Sequence, residues 1–237
     1  MADSSEDIVL HVDEQDLPVR LTTHARARRI SLRLDPVKGC VLLVRPRRVS
    51  KAAAVAFAIE KADWIAKSLE ELLPPIPFVD GAVVPILNEL HTIRHAPEAR
   101  RGVWKEDGSL FISGDVAHLP RRVRDWLREE ARRKISPVAH TLAERIGKAV
   151  TNIAVRDTRS RWGSCSADGR LSFSWRLVMT PTFVLHYVIA HEVAHLNELN
   201  HSKRFWQAVD SLTYERHAAT QWLKREGAEL YRYGLGV

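Results

Sequence analysis

Apolar and polar residues alternate over residues 30–34, ISLRL, and an apolar run, CVLLV, follows at 40–44 after the turn-forming DPVKG. A period of two flanking a proline–glycine turn predicts a β-hairpin. From Ser50 the period lengthens. Phe57, Ile59, Trp64, Ile65, Leu69 and Leu72 recur at helical spacing in an alanine-rich segment, and Pro74 and Pro75 stop it. The following PPIP, 74–77, marks a linker. It divides the chain into a hairpin-plus-helix region, 1–77, and the remainder, 78–237.

Beyond the linker the period returns to two. LHTIRH alternates, and VWKEDGSLFI carries an Asp-Gly pair between alternating flanks, the strongest short hairpin signal. Pro120 then opens a long helix reaching about Gly147, with Val123, Leu127, Ala131, Ile135, Leu142 and Ile146 on one face. NIAV at 152–155 predicts a short strand. RLSFSWRLVM at 170–179 predicts a longer one, with Leu171, Phe173, Trp175 and Leu177 inward and an edge along which an extended peptide can add. Thr180-Pro181 supplies a helix N-cap followed by proline at the first helical position. Further helices start at Ser202 and in AATQWLKREGAEL. Strand runs followed by helix runs give an α+β fold.

Composition narrows the functional class. The chain is 45% hydrophobic with seven tryptophans, which describes a packed fold and not a disordered one. Its two cysteines, Cys40 and Cys165, lie far apart and indicate no disulfide framework, so a reducing, cytoplasmic setting is expected. The acidic N-terminus lacks the apolar core of a secretory signal, and no run of about 18 apolar residues suggests a membrane span. The formal net charge is +7, and nine Lys or Arg face one acid, Asp35, between Val19 and Arg48. Such a stretch serves either as a nucleic-acid patch or as a solvated outer face, and no aromatics interleave with it to favour the former.

The chemistry lies in HYVIAHEVAHLNELNHSKRFW, 186–206. HEVAH puts His191 and His195 four residues apart, on one helical face. Two imidazoles there reach a single zinc ion, and Glu192 lies within hydrogen-bond reach of the metal-bound water without ligating the metal. The flanking sequence, FVLHYVIAHEVAHL, is apolar, and buried histidines need partners that a metal supplies. A catalytic site requires a third ligand. His201 is ranked above Glu198 and Glu215 because imidazole suits zinc and SKRFW anchors the segment. Its spacing demands that the helix end and the chain turn back, and Asn197 and Asn200 tolerate the left-handed conformation of a helix stop. The spacing also matches the metzincin pattern, except that Glu198 stands where that pattern has glycine. His186 and His217 are read as bystanders.

Upstream, DTRSRWGSC places Gly163 between bulky neighbours, which suggests a close backbone approach. Cys165 is read as a small packed residue and not a nucleophile. Arg161 is the nearest basic candidate for stabilising an oxyanion, with a structural ion pair as the alternative. SRWGSC, LSFSWRLVMTP and HYVIAHEVAHLNELNHSKRFW together resemble the YgjP-like metallopeptidases, relatives of the SprT-like zinc peptidases. The resemblance covers most of the chain, including the RRISLRLDP hairpin and the EKADWIAKSLEEL helix. It implies a zincin-like core with a small antiparallel sheet and an HExxH helix. It also implies one Zn2+ held by His191, His195 and His201, Glu192 as the catalytic base, and a protein or peptide substrate. Three functions follow as expectations: a zinc peptidase, a peptidase recruited to nucleic acid, or a non-catalytic zinc-binding module.

Overall fold

In the computed structural model, residues 5–12, 15–35, 40–70, 74–158 and 161–235 are described. Packing divides the chain into two units, Met1–Pro75 and Ile76–Val237. The first contains β1 (Ser5–Val12), β2 (Gln15–Thr23), β3 (Ser31–Asp35) and β4 (Cys40–Arg45), ordered β1-β2-β4-β3, then α1 (Lys51–Ile59) and α2 (Ala62–Glu70). Alternation turns Leu17, Val19 and Leu21 of β2, with Val41 and Leu43 of β4, to one face. They are buried with Ala54 and Ala58 of α1 and Ile65 of α2. β3 and β4 pair antiparallel; the turn expected at 35–39 lies, beyond Asp35, outside the described residues. The helix expected from Ser50 is two helices. Ser50 caps the first, and at the break the Lys61 N–H donates to the Ala58 carbonyl, a tightened last turn that lets the chain change direction. β1 and β2 were not anticipated, because the charges on their outer positions (Asp7, Arg20) mask the alternation.

The second unit begins with β5 (Val83–Ile86), β6 (Glu89–Ala96), β7 (Val103–Glu106) and β8 (Ser109–Ser113), ordered β5-β6-β8-β7. Asp107 and Gly108 turn the second hairpin with φ of 45° and 68°, the paired positive angles of a type I′ turn. α3 (Leu119–Arg145) buries Val123, Leu127, Ala131, Ile135 and Leu142, the face the periodicity predicts. β9 (Asn152–Arg156), β10 (Gly163–Cys165) and β11 (Arg170–Ser174) form a sheet ordered β10-β11-β9, followed by α4 (Thr182–Ala194), α5 (Lys203–Leu212) and α6 (Arg216–Glu226). Mixed sheets with several helices make the fold α+β.

Three expectations about this last region are corrected. The three-stranded sheet is mixed and not antiparallel: β11 runs parallel to β9 and antiparallel to β10. It is therefore the central strand and offers no edge; the edge strands are β9 and β10. Strand direction depends on where the intervening loop carries the chain, and a five-residue alternation holds no record of that. The strand also stops at Ser174, and Trp175–Met179 is a 3-10 turn buried on all sides. A strand needs an alternating environment; surrounded by core, the same residues coil. Finally, Thr180 is fully buried, and its hydroxyl donates back to the Leu177 carbonyl, so Pro181 is the cap residue of α4.

Candidate metal centre

α4 is the buried helix of the second unit. Val184, Leu185, Val188, Ile189, Ala190, Val193 and Ala194 all join the core, so almost every face is covered. The polar side chains it carries near its C-terminus are held in apolar surroundings by that burial. His191 and Glu192 lie in its last turn, and His195 is the residue that ends it. Past His195 the N–H groups of Asn197 and Glu198 both donate to the Ala194 carbonyl, and the His195 Nδ1 bonds the Glu198 carbonyl at 2.9 Å. The chain bends without a left-handed residue at Asn197 or Asn200, contrary to expectation. The imidazole of His195 ties the backbone of the bend, at the Glu198 carbonyl, to the end of α4. Asn200 acts through its side chain, its Oδ1 accepting from the Ser202 N–H, and Ser202 then caps α5.

This bend delivers His201 to the other two. One ring nitrogen from each of His191, His195 and His201 lies within 4.8 Å of the others. His191 Nε2 and His201 Nε2 face each other at 3.2 Å. Nitrogens about 2.05 Å from one tetrahedral ion stand roughly 3.4 Å apart, so small side-chain adjustments close the set on a metal. The residues fit such an ion: three imidazole nitrogens converge, and among the described residues no carboxylate joins them. Glu198 contributes its backbone carbonyl, Glu215 begins α6, and neither belongs to the cluster. His186 is exposed beside Pro137 and Leu212, also outside it.

Sequence reasoning named SKRFW as the anchor of the His201 segment but not the rings it packs against. Phe205 stacks on His195 at 4.4 Å between ring centroids and meets His191 and His201 edge-on at 4.9 and 4.7 Å. Trp206 lies 5.6 Å from His201. The signal was present, since Phe205 and Trp206 fall in the first turn after the Ser202 cap, but only the bend at 196–200 turns them toward α4. Gly163 was flagged, and its neighbour is now identified. A Cβ placed there would come within 2.5 Å of the Glu192 Cγ, so the strand backbone is pressed against the glutamate side chain and only glycine leaves room.

The electrostatics follow from burial. Desolvation pushes the Glu192 carboxyl up to about 7, partly opposed by the Arg161 guanidinium. Desolvation, helped by the neighbouring imidazoles of His195 and His201, holds His191 down at about 4. His195 is also lowered, chiefly by burial. Neutral imidazoles are the form that binds a cation, and a carboxylate near 7 is poised to accept and return a proton. The His191 Nδ1 is buried without a partner. Arg161 is exposed and acts on Glu192 through space. Burial pushes the Cys165 thiol up to about 11, and it packs against the core. It is thus a poor thiolate.

A family model described as YgjP-like, metallopeptidase domain, matches residues 28–226, which begin inside the first unit and run through the histidine cluster. Comparison with curated proteins found no match, and comparison with solved structures found none.

Proposed function

The chain belongs to the YgjP-like metallopeptidase family, and from that premise we propose that it is a zinc-dependent peptidase with a zincin-like catalytic core over residues 78–237, preceded by the 1–77 region. The observation that carries the reading is the convergence of three histidine nitrogens beside a buried glutamate. His191, His195 and His201 would hold one Zn2+. Bound there, the ion supplies a Lewis acid that lowers the pKa of a water and polarises a peptide carbonyl. Glu192, kept from bulk solvent, takes the proton of that water and hands it to the leaving amide nitrogen. Gly163 fixes where the carboxylate stands. Phe205 and Trp206 keep the imidazoles in register.

The substrate is a polypeptide in extended form, added along β10. Trp162 and Ser166 spend their backbone groups on β11, through Ser174 N–H to the Trp162 carbonyl and Ser166 N–H to the Arg170 carbonyl. By the alternation of an antiparallel ladder, the N–H and C=O of Gly163 and Cys165 face the open edge. The test is Glu192→Gln in the zinc-loaded protein. Metal content stays at one equivalent and hydrolysis of unfolded protein substrates falls by orders of magnitude; undiminished hydrolysis defeats the mechanism. A non-catalytic zinc module predicts that Glu192 is dispensable, so this substitution decides that alternative too.

A second reading, a peptidase recruited to nucleic acid, is favoured by one observation. Arg26, Arg28, Arg29 and Arg33 are exposed around an open concavity of about 860 Å³ floored by Leu42 and Val44, with no carboxylate partner among the described residues. Salt-dependent DNA binding that vanishes on charge reversal of Arg26, Arg28 and Arg29 supports it, and no binding at low salt rejects it. Among the described residues no helix is long and apolar enough to cross a membrane.

A further inference from the structure

The three-stranded sheet has two faces. Ile153 and Val155 of β9 and Leu171 and Phe173 of β11 point into the core, and Gly163 turns the same way, toward Glu192. On the opposite face the register aligns Ala154, Ser172 and Ser164 in one row across all three strands. A row of small residues leaves a trough, about 490 Å³ in volume, that crosses the strands and is lined at β10 by Ser164 and Cys165. Arg156 and Arg161 line one side of this row and Arg170 the other. Arg170 pairs with Asp168 at 2.8 Å. Arg156 is exposed and forms no ion pair among the described residues; Arg161 is exposed and has the Glu192 carboxyl acting on it only through space. Two exposed guanidiniums held in no ion pair over a small-residue floor form a receptor for an anion.

The trough reaches β10, the strand assigned above to the substrate. Side chains of an added strand alternate between the two faces of the sheet. A residue whose neighbour faces Glu192 past Gly163 points its own side chain outward, opposite Ser164. Strands lie about 4.8 Å apart, so a carboxylate on that residue comes over Ser164 and Ser172, within reach of the long Arg156 and Arg161 side chains. We propose that this trough is a specificity pocket that selects an aspartate or glutamate of the substrate within one or two residues of the scissile bond, with Arg156 and Arg161 as the selecting groups. The proposal rests on the peptidase reading and on substrate addition along β10.

Two measurements test it and separate its failure from that of the peptidase reading. In the first, a proteome-derived peptide library is cut by wild type, by Arg156→Glu and by Arg156→Glu/Arg161→Glu. Wild type shows acidic residues enriched at one position beside the cut. Both variants lose that enrichment and the double variant favours Lys or Arg there, while Arg156→Glu still cuts neutral peptides as wild type does. In the second, calorimetry measures binding of two degenerate decapeptide pools, with Glu or Gln fixed at the centre, to zinc-loaded Glu192→Gln protein. The Glu pool binds about tenfold tighter, and adding Arg156→Gln/Arg161→Gln, a milder change at two exposed positions, erases the difference. Cleavage without acidic bias together with equal binding of the pools overturns the pocket. A bias that survives charge reversal overturns the assignment to Arg156 and Arg161. Discriminating binding with no cleavage of any peptide overturns the peptidase reading and leaves the pocket standing. Neither cleavage nor discrimination overturns both.

Discussion

Two regions of this molecule concentrate basic side chains, and they are built in opposite ways. The histidine cluster joins α4 to α5. Its rings are wedged by Phe205 and Trp206, and burial lowers His191 and His195 and raises Glu192. The arginine face of the first unit has Arg26, Arg28, Arg29 and Arg33 in solvent over an open concavity. Folding holds titratable groups in apolar surroundings only where packing over-determines them, and such sites are enriched in catalysis. An exposed cationic face costs the fold almost nothing and is therefore weaker testimony about function.

The contrast breaks most directly by removing the metal. Exhaustive chelation, or His191→Ala, should reduce peptide hydrolysis to background, and stoichiometric zinc should restore the chelated protein but not the variant; a discontinuous peptide-cleavage assay reads both. Next comes Glu192→Gln, expected to lower kcat by about 10²–10⁴-fold with zinc retained, the usual worth of a positioned general base. Gly163→Ala follows. The new methyl has to displace the Glu192 side chain, and a misplacement of about 1 Å can cost up to about 10²-fold. A Gly163→Ala enzyme with wild-type kcat/KM would mean that the close approach is mere packing.

The pH dependence sharpens the comparison. Glu192 must be ionised to accept a proton, so kcat/KM should fall as pH drops through the value of its carboxyl. In the metal-free protein burial, partly opposed by Arg161, sets that value at about 7, and a bound cation draws it lower. The acid limb should therefore lie at or below about 7 and be absent from the residual activity of Glu192→Gln. Stability runs the other way in the metal-free protein. The folded carboxyl titrates above its unfolded value, so the fold binds the extra proton and loses stability as pH rises from the ordinary carboxyl range through about 7. Glu192→Gln should accordingly raise the Tm of the metal-free protein at pH 8 and barely change it at pH 4. The gain is bounded at roughly 3 kcal/mol. The smallest effect belongs to the arginine face. Charge reversal of Arg26, Arg28 and Arg29 should leave peptide cleavage unchanged and alter stability by no more than about 0.5 kcal/mol per substitution; a collapse of either would make that face part of the working enzyme.

Much of this was legible in the chain because its causes are local. The HEVAH spacing, the Asp107-Gly108 turn, the Ser202 cap and the inward face of α3 each depend on residues within a turn or two of one another. Periodicity and cap chemistry record such relations directly. The strands β1 and β2 were masked by their charged outer positions. The helix from Ser50 broke at a point no proline or glycine marks.

What only the tertiary structure decided depends on residues far apart in the chain. Ser172 alternates as an edge or a central strand would; pairing with Ala154 on one side and Ser164 on the other made β11 central and left β10 at an edge. Trp175–Met179 continues the apolar pattern of a strand and coils because core surrounds it on every side. The carboxyl of Glu192 on α4 owes its position to Gly163, a residue of strand β10, and its raised pKa to burial. Sequence determined which groups could do chemistry, since ligand type and helical spacing are written locally. Packing determined which of them meet, how dry they are and which edge lies beside them, because desolvation and strand pairing are sums over neighbours that a chain acquires only on folding.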